Sequence, residues 1–181
     1  MPQLSLANNL TQQDEGTKGT QVLIAEPFAS DSSIGALGVG EDDWTEGTGC
    51  TVDHTSGFAT VASDGTANRY ASFTVTVTPN TTYNYEYKLT SVTNLSNSAT
   101  EGTVKIMFGT EANNDTYGVN THTTAGAAIT ELGTFSIGDI TTLHITIKVV
   151  TASRKAWIDY WQTWEGLIGV TRAPASSMSI I

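Results

Sequence analysis

Positive charge is scarce in this chain of 181 residues. Only 8 lysines and arginines stand against 18 aspartates and glutamates, which gives a formal net charge of −10 at pH 7. A surface of this sign repels the phosphates of nucleic acids and the head groups of anionic membranes. We therefore expect that neither a nucleic acid nor a membrane is a partner of this protein.

Cysteine and long apolar runs are scarce as well. Cys50 is the single cysteine, so no intrachain disulfide can form. No apolar stretch reaches the length of a membrane-spanning helix. Residues 1–6 carry neither the positive charge nor the apolar run of a secretion signal. These observations favour a chain that reaches its destination without a signal, and a virus particle assembled inside its host is one such destination.

The sequence contains none of the common motifs of catalysis and zinc binding. His54, His122 and His144 have no His-x-His or His-Glu-x-x-His spacing. No Gly-x-Ser-x-Gly segment is present to expose a nucleophile. Residues 41–46 form an acidic cluster, but the paired carboxylates of glycosidases flank a scissile bond across a groove, and this cluster belongs to one predicted loop. We expect a protein without enzymatic activity.

Threonine is abundant, at roughly one residue in six. Its side chain is branched at Cβ and half polar, so it suits strands with one wet face and one packed face. Within residues 70–78, Phe73, Val75 and Val77 point to one side and the threonines point to the other. Similar short runs recur between turn signals up to residue 164. The pattern predicts an all-β, two-sheet antiparallel β-sandwich over residues 21–165, with a helical turn near residues 40–44 and a loop over residues 118–124.

The two ends of the chain differ from this middle region. Residues 1–20 are polar, yet they contain Leu4, Leu6 and Leu10, and residues 166–181 end in Ile180 and Ile181. Residues 1–20 cannot bury enough apolar surface to order by themselves, and an apolar C-terminal tip is unusual for a free tail in water. We predict extended N- and C-terminal arms whose apolar residues bind neighbouring subunits. The alternative is that both arms are tails that pack on their own domain.

Tyrosines form a stripe on one predicted strand, since Tyr83, Tyr85 and Tyr87 alternate with polar residues. Tyr117 lies in a predicted loop. Sugar recognition uses flat aromatic faces together with polar side chains, so these four tyrosines are candidate glycan-binding residues. The alternative for the stripe is that it lines one half of the core.

The order of several segments resembles carbohydrate-binding-module-like jelly rolls. The matching stretches cover roughly residues 21–162 and are Val22 to Ile24, Trp44-Thr45, Gly57 to Val61, Phe73 to Tyr83, and Ile158-Asp159-Tyr160. The resemblance implies a jelly-roll sandwich. It also implies a structural calcium ion that would be held by Glu26 and Asp159, because such modules often hold calcium between their opening and closing strands.

A second resemblance concerns the arms and the overall composition. The opening Leu4-Ser5-Leu6-Ala7-Asn8-Asn9-Leu10 looks like the start of structural proteins of tailed bacteriophages, and acidic, Thr-rich sandwiches are common among them. This favours a non-enzymatic virion protein, a decoration or accessory subunit of the head or tail that contacts other virion proteins and its own copies. The alternative function is a glycan-binding module that recognises a polysaccharide or the sugars of a cell surface.

Overall fold

The computed structural model describes residues 21–25, 39, 41–55 and 57–166, and this part of the chain is all-β. A 3-10 turn spans Glu41–Asp43, within the predicted helical turn. Eleven strands are described: β1 (Gln21–Ala25), β2 (Thr45–Glu46), β3 (Cys50–Thr55), β4 (Phe58–Ser63), β5 (Arg69–Thr76), β6 (Thr82–Asn94), β7 (Gly102–Gly109), β8 (Gly118–Thr124), β9 (Ile129–Ser136), β10 (Thr142–Val149) and β11 (Arg154–Glu165).

The strands form two antiparallel sheets. One has six strands in the order β3-β4-β11-β6-β9, with β1 also paired to β11, and the other has five in the order β2-β5-β10-β7-β8. Consecutive strands often belong to different sheets, so the chain crosses repeatedly from one layer to the other. The two-sheet antiparallel jelly-roll sandwich predicted from the sequence is confirmed.

The core lies between the sheets and follows the predicted alternation. On β5, Phe73 and Val75 are buried, and on the neighbouring β10 the inward residues Leu143, Ile145 and Ile147 are completely buried. Each such side chain contributes about 1.5–3 kcal/mol through its removal from water. The burial of one face on both strands therefore accounts for their position at the centre of the five-stranded sheet.

The prediction of a loop over residues 118–124 is wrong, because this segment is strand β8. It pairs with β7 from Gly118 to Thr124. The sequence pattern misses it because its inward residues Asn120 and His122 are polar, which hides the usual alternation of apolar and polar side chains. β8 is an edge strand, so its outward threonines face solvent.

Two irregularities interrupt the long pairing of β6 with β11. The register shifts between Trp157 and Ile158 and again between Ile158 and Tyr160, which leaves Thr90 on β6 and Asp159 on β11 as the extra residues. A bulge of this kind changes the side on which the following side chains emerge. Ile158 and Trp161 consequently point into the core, whereas Trp157 and Tyr160 point outward.

The predicted arms at residues 1–20 and 166–181, with Leu4, Leu6, Leu10, Ile180 and Ile181, lie outside the described residues except for Gly166. Within the described segments, no helix is long and apolar enough to cross a membrane.

Candidate functional site

The three tyrosines of the predicted stripe lie between the sheets. Tyr83 and Tyr87 are completely buried and Tyr85 is 5% exposed. The rings pack on other aromatic residues: Tyr87 stacks on Trp161 with centroids 4.7 Å apart, and Tyr85 contacts Phe108 at the same distance. Other core residues therefore cover the faces of these rings. Of the two interpretations of the stripe, the structure agrees with the one in which it lines the core.

The tyrosine hydroxyl groups also have hydrogen-bond partners within the protein. Asn120 Nδ2 on β8 donates to Tyr85 Oη at 2.7 Å and to Tyr87 Oη at 3.1 Å. Tyr87 Oη lies 2.6 Å from His122 Nε2, and Tyr83 Oη accepts from the backbone N–H of Thr78 at 2.7 Å. These bonds compensate the cost of removing the hydroxyls from water.

Burial also sets the ionisation of this cluster. Desolvation raises the pKa of Tyr85 and, more strongly, that of Tyr87. Desolvation lowers the pKa of His122, against an opposing effect of Glu131. Both tyrosines and His122 are therefore neutral at pH 7, as expected of groups that hold two sheets together.

Cys50 has no sign of reactivity. Its side chain is buried, and burial together with the neighbouring Glu46 raises the pKa of the thiol to about 12. A nucleophilic cysteine needs a lowered pKa, so Cys50 is a small core residue at the start of β3.

Tyr117 lies at the end of the loop between β7 and β8 and is partly buried against the edge of the core. Its backbone N–H donates to the carbonyl of Phe108 at 2.9 Å. The structure thus separates the four predicted glycan-binding tyrosines into a buried stripe and one partly exposed loop residue.

Of the two predicted calcium ligands, Glu26 lies outside the described residues. Asp159 Oδ2 is 2.7 Å from Lys88 Nζ, so a calcium ion at Asp159 would compete with this ammonium group. In the described segments, no group of three or more His, Cys, Asp or Glu side chains could hold a metal ion. The calcium site stays a prediction.

The outer face of the six-stranded sheet presents a different set of aromatic residues. Trp157 and Tyr160 emerge from β11 and Phe58 from the adjacent β4, and all three are partly exposed. We call these residues, together with the neighbouring Glu86, Lys88, Asp159 and Gln162, the aromatic face.

The Trp157 ring is held in place from two directions. Its Nε1–H donates to Thr93 Oγ1 on β6 at 3.0 Å. The Phe58 ring meets it edge to face, with centroids 5.9 Å apart and an interplanar angle of 78°. Edge-to-face pairs of this kind are favourable, so the two contacts restrict the orientation of the ring.

Polar groups surround Tyr160 on the same face. Tyr160 Oη donates to Glu86 Oε1 at 2.7 Å, and its cross-strand partner Lys88 forms the ion pair with Asp159. Glu86 pairs across the strands with Gln162 on one side and with Leu132 on the other. Leu132 is 53% exposed, which extends the apolar surface toward β9.

Alternation along the sequence predicts that Trp157 and Trp161 lie on one side of β11 and Ile158 and Tyr160 on the other, with one pair buried, and this pairing is wrong. Trp157 and Trp161 would share one side of a regular strand, and the Asp159 bulge places them on opposite sides. The signal that could have found the face is the density of aromatic residues in β11 itself.

Two comparisons of the sequence, with models of protein families and with curated proteins, find no match. Comparison of the structure finds carbohydrate-binding modules. The CBM22-1 xylan-binding domain of Paenibacillus barcinonensis Xyn10C has a TM-score of 0.57 at 13% identity, covering 82% of this chain and 96% of that one. A family 4 module has a TM-score of 0.52 at 17% identity, covering 70% of this chain and 97% of that one. A family 29 module has a TM-score of 0.52 at 15% identity, covering 79% of this chain and 86% of that one. The chain therefore shares the fold of carbohydrate-binding modules.

Proposed function

We propose that this protein is a glycan-binding module that binds a neutral polysaccharide on the aromatic face. The observation that carries the proposal is the outward placement of Trp157 and Tyr160 by the paired bulges of β6 and β11. Aromatic faces receive the C–H faces of sugar rings, and a few placed polar groups fix the orientation of a ligand.

The polar groups of the face suit uncharged hydroxyls. Glu86 and Asp159 are acceptors, whereas Lys88 is already paired with Asp159. With carboxylates beside the aromatic rings and a net charge of −10 on the chain, an anionic sugar would be repelled here. The likeness to binding modules, one of them named for xylan, supports the same proposal.

Native gel electrophoresis through immobilised neutral polysaccharides such as xylan, β-glucan and galactomannan tests the proposal. We expect at least one polysaccharide to retard the protein and Trp157→Ala to weaken that binding by about 30-fold, as removal of an aromatic hot spot of about 2 kcal/mol would. Leu95→Ala is a matched control because Leu95 is 45% exposed in the turn between β6 and β7. Tyr117→Ala tests whether the loop tyrosine contributes to the same binding.

Two results would contradict the proposal. One is the absence of retardation by every neutral polysaccharide. The other is full retardation of a Trp157→Ala variant that folds normally by circular dichroism.

The virion role predicted from the arms stays a prediction, as do contacts with other virion proteins and self-assembly in a particle. The residues on which these predictions depend lie outside the described part of the chain. The two functions are compatible, because a virion subunit can carry a glycan-binding face.

A further inference from the structure

Charge is distributed unevenly between the two sheets. The strands of the five-stranded sheet contain a single carboxylate, Glu46, out of 18 in the chain, but three of its 8 basic residues, Arg69, Lys105 and Lys148. The strands of this sheet therefore carry more basic than acidic side chains in a strongly acidic protein, although Arg69 is paired with Asp64. Such local asymmetry is what electrostatic recognition of an anion requires.

Lys105 and Lys148 differ from the other basic residues that the structure describes. Arg69 and Lys88 form ion pairs, Arg154 donates to backbone carbonyls and Lys155 donates to Asn97. No hydrogen bond or ion pair of the Lys105 or Lys148 side chain is found among the described residues.

The same two lysines face each other directly. Lys148 on β10 pairs with Lys105 on β7, and both point outward because Ile147, Val149, Val104 and Ile106 beside them are completely buried. Like charges directly opposite each other destabilise a sheet. No ion pair of the described residues neutralises either lysine.

An aromatic ring and a hydroxyl extend this row across the sheet. Tyr70 on β5 is the other cross-strand neighbour of Lys148, and Thr121 on β8 is that of Lys105. The Tyr70 ring lies against the backbone of Gly47, where a Cβ atom would approach two ring carbons to 3.2 Å. We call Tyr70, Lys148, Lys105 and Thr121 the basic row, and all four are at least partly exposed.

We propose that the basic row is a second binding site, for the carboxylate groups of an anionic polysaccharide such as a polyuronate. Two adjacent ammonium groups match one carboxylate or two successive ones, and the Tyr70 ring offers a stacking surface for a sugar. The choice of a polysaccharide over an acidic protein rests on the proposed function. A nucleic acid carries the same negative charge at every residue, so single-stranded DNA is one of the outcomes of the test below.

The test measures binding of polygalacturonate, with the fully methyl-esterified polymer as the uncharged control. We expect the wild-type protein to bind the acid and not the ester, and added salt to weaken the binding. Lys105→Gln/Lys148→Gln should lose at least tenfold in affinity. The control Lys155→Gln removes one positive charge from the six-stranded sheet and should lose less than twofold.

The Lys105→Gln/Lys148→Gln variant should be at least as stable to urea as the wild type, because it loses a repulsive pair. A loss of affinity in this variant therefore cannot be attributed to unfolding. Trp157→Ala should still bind polygalacturonate, and the double lysine variant should still bind the neutral polysaccharide, which separates the two proposals. The inference is overturned if the wild type does not bind at low salt, if Lys155→Gln is as weak as the double variant, or if a single-stranded DNA of similar charge binds equally well.

Discussion

Tyr85 and Tyr87 keep their hydroxyl groups between the two sheets, where the side chains of β8 reach them. Asn120 bridges both oxygens, and His122 bonds to Tyr87. A typical hydrogen bond of this kind contributes about 1 kcal/mol net, but a buried hydroxyl left without its partner costs about 1–3 kcal/mol. The cluster therefore fixes the position of edge strand β8 on the core.

The ionisation of these tyrosines predicts a loss of stability in alkaline solution. Burial raises the pKa of both hydroxyls, whereas the unfolded chain loses these protons near pH about 10. Above that pH the folded state binds more protons than the unfolded state, so the free energy of unfolding falls as pH rises. Cys50, whose thiol pKa is raised to about 12, acts in the same direction.

Urea unfolding between pH 8 and pH 11 measures this dependence. A Tyr85→Phe/Tyr87→Phe variant should show a shallower decrease than the wild type, although it will be less stable at pH 8 because Asn120 and His122 lose their partners. Equal slopes for the two proteins would contradict the assignment.

At the residue scale, the sequence predicted that Tyr83, Tyr85 and Tyr87 share a side, because strand alternation requires it. It left open whether that side is the core, because tyrosine has both an apolar ring and a polar tip. The answer depends on Asn120 and His122, which are more than 30 residues away in sequence. No local pattern could supply those partners.

At the element scale, the aromatic face depends on a local defect in β11. The extra residue Asp159 reverses the alternation between Ile158 and Tyr160, and the extra residue Thr90 does the same on β6. Alternation alone would place Trp157 and Trp161 on the same side of the sheet. The bulges arise from pairing between two strands about 70 residues apart, so the sequence of β11 could not reveal them.

The packing of β9 on β6 depends on a glycine. Gly133 is the direct partner of Tyr85, and a Cβ atom there would lie 2.2 Å from the Tyr85 hydroxyl oxygen. The Tyr85 ring cannot retreat, because Phe108, Phe135 and Trp161 surround it. We expect Gly133→Ala to lower the free energy of unfolding by about 1–3 kcal/mol, the usual cost of overpacking.

The control for this substitution is Gly65→Ala, since a Cβ atom at Gly65 would meet nothing within 4 Å. Urea unfolding of both variants gives the comparison. Equal stability of the two variants would mean that β9 can shift to accept a side chain.

At the scale of the whole molecule, the sandwich offers two outer faces of different chemistry. The six-stranded sheet presents aromatic rings with carboxylates, and the five-stranded sheet presents a pair of unneutralised lysines. The sequence predicted the sandwich because β5 and β10 alternate so regularly. It could not predict the faces. Lys105 and Lys148 become neighbours because β7 pairs with β10, although β8 and β9 lie between these two strands in the sequence.

The most direct test of the central claim, that a glycan lies on the aromatic face, is a nuclear magnetic resonance titration of the labelled protein. The ligand is an oligosaccharide of the neutral polysaccharide that binds most strongly in the gel assay. We predict that the largest shifts occur at the Trp157 indole N–H and at the backbone amides of Phe58, Tyr160 and Gln162. Shifts confined to β8 and the loop that carries Tyr117, with the Trp157 signal unchanged, would contradict the account.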